Sequence, residues 1–96
     1  MKMLMVVYSG PSPHRISSLL ELHQAGGYTE FRNAHGAGST GRREGSRTWP
    51  GDSTLWFSVA SGEQSDELAR ALRAEQAQLP AGERLHVAVL PAETFF

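Results

Sequence analysis

The sequence predicts an α+β sandwich in which a four-stranded antiparallel sheet carries two helices on one face. Three observations predict it. Four short apolar or alternating runs read as strands, and two amphipathic stretches read as helices. Their order along 96 residues is strand, helix, strand, strand, helix, strand. That length makes one domain, residues 1–96, with a modest core that association between copies would supplement.

Met3 to Tyr8 is a continuous apolar run closed by Ser9-Gly10-Pro11, which reads as a central strand. Ser12 before Pro13 predicts an N-cap with proline at the first helical position. Ile16, Leu19, Leu20 and His23 then fall on one helical face, and Gly26-Gly27 ends the helix. Thr29 to His35 alternates, with Phe31, Asn33 and His35 on one side, and predicts a partly exposed strand. Leu55, Phe57 and Val59 alternate with Trp56 and Ser58 in a third strand. Ser61 with Gln64 fits a capping box, and Asp66 and Glu67 complement the start of a helix marked by Leu68, Ala71, Leu72 and Leu79. Pro80-Ala81-Gly82 ends that helix, and Leu85 to Leu90 is the last strand. This order is the split βαβ, or ferredoxin-like, arrangement.

The strands are apolar on both sides. With Met3, Met5 and Val7 towards the helices, Leu4, Val6 and Tyr8 face away, and Trp56 joins the uncovered side as interface core. The same alternation sets His86 and Leu90 opposite Leu85, Val87 and Val89. An uncovered apolar face predicts a homo-oligomer, to which Phe95 and Phe96 contribute.

A net charge of −1 argues against a general nucleic-acid or membrane binder. The absence of cysteine removes disulfides, thiolate catalysis and Cys-based zinc sites. The apolar start is too short for a signal peptide or a membrane span. The expectation is a cytoplasmic, bacterial-type protein that is not itself a membrane protein.

The most unusual stretch is His35-Gly36-Ala37-Gly38-Ser39-Thr40-Gly41-Arg42-Arg43-Glu44-Gly45-Ser46-Arg47-Thr48-Trp49-Pro50-Gly51. So long a connection without apolar periodicity is uncommon in a small domain unless it has a function. Glycines allow close backbone approach to a ligand, and Arg42 and Arg47 offer forked donors to phosphate or carboxylate. Arg43 reads as a solvated charge beside Glu44 and Asp52. Gly36-x-Gly38-x-x-Gly41 matches a dinucleotide fingerprint by letter, but no helix opens after it, which rejects a Rossmann site. A nest of backbone N–H groups and a plain turning loop both remain open readings. Trp49 in Trp-Pro-Gly reads as a turn anchor.

Taken together, the residues resemble the PII signal-transduction superfamily, and its small PII-like branch more than the nitrogen regulatory proteins themselves. The resemblance rests on Arg15-Ile16-x-x-Leu19-Leu20, on Gly27-Tyr28-Thr29-Glu30-Phe31 and on His35-Gly36-Ala37-Gly38-Ser39-Thr40-Gly41. Trp49-Pro50-Gly51 and Gly82-Glu83-x-Leu85-His86-Val87-x-Val89-Leu90-Pro91 complete it. It implies a compact homotrimer that binds small molecules, often adenine nucleotides such as ATP, ADP or AMP, in clefts between subunits. It also implies a loop, here 38–52, that changes shape with the ligand and contacts a membrane transporter or an enzyme. Arg43, Glu44 and Trp49 would be its partner-binding residues. The implied ligand-binding positions are Gly36, Gly38, Thr40, Gly41, Arg42, Arg47 and Arg84. PII proteins carry glutamine where Thr40 stands, and glycine-acid-glycine-lysine where this chain has Ala81-Gly82-Glu83-Arg84. The loop is shorter than theirs and holds no tyrosine, which excludes uridylylation at the usual residue type.

Two other functions compete with a non-enzymatic regulator. One is a divalent-metal protein resembling the CutA relatives, with His35 and His86 as ligands, joined by Glu30 or Glu83. No histidine pair has a short metal-binding spacing, so each histidine alternatively has a surface or structural role. The other is a small oligomeric enzyme on a ferredoxin-like frame. An acylphosphatase is disfavoured because Ser9-Gly10-Pro11-Ser12-Pro13-His14-Arg15 lacks a glycine-rich arginine cradle.

Overall fold

The structure, a computed structural model, describes residues 1–23, 27–38, 41–43 and 53–96. The elements are β1 (Lys2–Ser9), α1 (His14–Leu22), β2 (Thr29–Ala34), β3 (Gly36–Gly38), β4 (Gly41–Arg43), β5 (Ser53–Ala60), α2 (Gly62–Ala77) and β6 (Arg84–Pro91). Strands β2-β5-β1-β6 form one antiparallel sheet in that order. β1 and β2 run parallel with β5 between them, and β5 and β6 run parallel with β1 between them. That is the ferredoxin-like α+β fold predicted from the element order.

In β1 and β5 the helices cover the face opposite to the one expected, whereas in β6 Leu85 and Val87 lie on the helix side and His86 and Leu90 on the open side, as expected. Leu4, Val6, Tyr8, Trp56 and Leu85 are buried with Ile16, Leu20, Leu68 and Leu72 in one core. Register confirms the face, since Val6 lies opposite Trp56 and Val87, and Tyr8 opposite Thr54 and Leu85. Met3, Met5, Val7, Leu55, Phe57 and Val59 therefore lie on the open side, where they are half-buried. Trp56 belongs to the core of the single chain, not to an interface. The cause is legible in small polar groups. Ser58 and Thr54 sit on the helix side, where their short side chains let the helices approach. Ser58 Oγ donates to the Gly27 carbonyl at 2.9 Å, so its burial leaves no bond unmade.

The helices follow their local signals with small shifts. α1 starts at His14 with Pro13 as N-cap, one residue beyond the Ser12 cap expected. Ser12 instead donates its backbone N–H to the Tyr8 hydroxyl at 3.1 Å. At α2 the Ser61 hydroxyl accepts from the Gln64 N–H at 3.1 Å, as the capping box requires. Gly27, at φ +119°, takes the left-handed conformation that leads into β2, whereas Gly26 lies outside the described residues. An Arg15–Glu75 ion pair ties the two helices.

β2 departs from simple alternation. Asn33 has φ 57°, and the pairing with β5 shifts between Phe31 and Ala34. Asparagine tolerates this left-handed conformation, and the resulting bulge breaks the Phe31–Asn33–His35 stripe. The glycine-spaced stretch then enters a short antiparallel ladder instead of a loop: Gly36 pairs with Arg43, Ala37 with Arg42 and Gly38 with Gly41.

Candidate functional site

The best-defined candidate is the turn from Pro80 to Arg84, between α2 and β6. α2 ends at Ala77, and the chain reverses through Gly82 at φ +90°, a conformation glycine adopts without strain. The Glu83 N–H closes the turn on the Pro80 carbonyl at 3.1 Å. Gln76 reaches from the last turn of α2 and donates Nε2–H to the Leu85 carbonyl at 2.6 Å. The start of β6 is thus pinned to the end of the helix. An open groove of about 470 Å³ runs along this turn, with Gln76, Gly82, Glu83, Arg84 and His86 among its lining. Among the described residues Arg84 makes no ion pair, so its charge is available to an anion.

Tyr8 organises the turn from beneath. Its ring is buried, and its hydroxyl donates to Glu83 Oε1 while accepting the Ser12 N–H. Burial, then the bond to Glu83, pushes its pKa up to about 12, so the phenol remains a donor through the neutral range. Gly10 makes room for it: a Cβ there would lie 2.3 Å from the hydroxyl oxygen. Sequence reasoning did not find this hub. Its signal was a tyrosine closing an aliphatic strand, since a buried phenol needs a partner for its hydroxyl.

The predicted site residues fall into three groups. Arg84 and His86 stand two apart on β6, so alternation sets both on the open face, and His86 is exposed there. Gly36, Gly38, Gly41, Arg42 and Arg43 form the small ladder. Thr40, Glu44, Arg47 and Trp49, with most of the 38–52 loop, lie outside the described residues.

His35 follows β2 and His86 lies in β6, and these strands are the two opposite edges of the sheet. A metal bridging them would need two copies of the chain. The carboxylates offered as co-ligands are engaged: Glu30 accepts from Trp56 Nε1 at 2.8 Å and from Arg32 Nε at 2.7 Å, and Glu83 accepts from Tyr8. Among the described residues no cluster of three metal-donor side chains occurs.

No protein-family model matches the sequence, and no curated protein matches it. Solved structures do match. CPII, a nitrogen regulatory PII-like protein from Thiomonas intermedia K12 bound to ADP, AMP and bicarbonate, superposes with a TM-score of 0.68 at 20% identity, over 93% of this chain and 86% of that one. A Thermus thermophilus protein described as PII-like superposes with a TM-score of 0.63 at 20% identity, over 93% of this chain and 84% of that one. This chain has the PII-like fold.

The PII-like likeness extends over 93% of the chain. CPII has been solved with ADP and bicarbonate and also in an apo form. Among the described residues of the present chain no helix is long and apolar enough to cross a membrane.

Proposed function

We propose that the chain is a non-enzymatic PII-like regulatory protein of the cytoplasm, a single domain over 1–96, that binds a small anionic effector in clefts between the subunits of a homotrimer. An adenine nucleotide, ATP, ADP or AMP, is the effector the reading favours. The observation that carries it is the PII-like fold with a glycine turn at the start of β6 and an Arg84 that makes no ion pair among the described residues. CPII shares that fold and binds ADP and AMP. In this reading Gly36, Gly38, Thr40 and Gly41 shape the backbone around the ligand, and Arg42, Arg47 and Arg84 supply charge. The open apolar face of Met3, Met5, Val7, Leu55, Phe57 and Val59 supports association, because so apolar a sheet face is costly to leave in water. The 38–52 loop, through Arg43, Glu44 and Trp49, reports the ligand to a partner protein such as a transporter or an enzyme.

The test is calorimetric titration with ATP, ADP and AMP, with and without magnesium, alongside mass by light scattering. The reading predicts a trimer that binds at least one of the nucleotides and loses affinity on Arg84→Ala. Absence of binding by all of them at millimolar concentration would overturn the nucleotide assignment and turn the search to bicarbonate and other small anions.

A further inference from the structure

We propose that Tyr8 is a positioning residue for the anion site of the proposed function, holding the Glu83 carboxylate on the helix side of β6 so that Arg84 stays free for a ligand phosphate. The inference rests on that functional reading. Its starting point is a conflict within the turn: a carboxylate stands directly beside the cation that would bind the anion. Glu83 and Arg84 both line the groove at this turn, so a Glu83 carboxylate without a partner would lower the local positive potential and compete with the ligand.

The structure resolves the conflict by direction. Leu85 is buried towards the helices, so alternation along β6 turns Arg84 to the other face. Glu83 is drawn the opposite way by the buried Tyr8 hydroxyl. Tyr8 is itself fixed from two sides, by the Ser12 N–H at 3.1 Å and by the space that Gly10 leaves. Arg15, whose charge also acts on Tyr8, is paired with Glu75. Two segments distant in sequence, 8–12 and 80–84, are thereby coupled through one hydroxyl group.

ADP titration by calorimetry on four proteins tests this: the wild type, Tyr8→Phe, Tyr8→Phe with Glu83→Gln, and Glu83→Asp. Aspartate is one carbon shorter and lets go of Tyr8 without touching the core, so it carries the test if Tyr8→Phe does not fold. Tyr8→Phe and Glu83→Asp each weaken ADP binding by about threefold to fivefold, the size expected for a partly exposed charge pair. The double variant, which removes the competing charge, regains the wild-type affinity. Unchanged affinity in both single variants overturns the proposal. So does a loss in Tyr8→Phe that the double variant does not restore, because the hydroxyl would then serve the fold alone. Should the wild type bind no ADP, the functional reading fails by itself, and the Arg84 Nε–H resonance decides the latch without ligand. A shift in both single variants that reverts in the double supports it, and an unmoved resonance overturns it.

Discussion

The buried Tyr8 hydroxyl joins β1 to the turn before β6 through Glu83. Its neutral form is favoured by burial and by Glu83, so its stabilising contribution is complete below the ordinary tyrosine value of 10.0 and is lost as pH rises towards about 12. Equilibrium unfolding followed from pH 9 upward on the wild type and Tyr8→Phe checks this. The wild type loses additional stability across that window, and the variant lacks this component. Gly10 makes a companion case. Gly10→Ala forces a Cβ to within 2.3 Å of the hydroxyl, so the variant must shift the β1–α1 turn or the phenol. It is expected to lower the unfolding midpoint by an amount equivalent to about 1–3 kcal/mol. Arg84 was singled out in the sequence by the PII resemblance, through the segment Ala81-Gly82-Glu83-Arg84. Tyr8 was not, because its partner lies 75 residues away and only the fold brings them together.

At the scale of elements, local chemistry predicted what is local. Ser61 caps α2 through the Gln64 N–H, and Ser61→Ala should cost about 1 kcal/mol by chemical denaturation. Leu68 and Leu72 are one turn apart on the buried face of the same helix, as their spacing foretold. What periodicity did not supply was direction. In β1 both alternating sets are apolar, so period two gives two faces without saying which one the helices cover. In β5 the choice was misleading, because Leu55, Phe57 and Val59 outweigh Thr54 and Ser58 in hydrophobicity, yet the helices cover the side with the small polar residues. The ladder of Gly36–Gly38 with Gly41–Arg43 was hidden for a related reason: glycine-rich strands carry little alternation to read.

At the scale of the molecule, the reversed sheet strengthens the case for assembly. The open face is apolar along β1 and β5, with Phe31 and Phe57 in edge-to-face contact at 5.8 Å and Phe31 still 49% exposed. Phe57→Glu should therefore convert the oligomer into a folded monomer, seen as a fall in scattering mass with the circular dichroism retained. The element order made the ferredoxin-like frame legible from the sequence, whereas a cleft between subunits is beyond what one chain's periodicity can encode. An assembly that carries an anionic nucleotide is tested most directly by native mass spectrometry with added ADP or AMP. The expected result is a trimer of the 10.5 kDa chain that takes up nucleotide, at most one per chain. A monomer, or a trimer that stays bare at every nucleotide concentration, would contradict it.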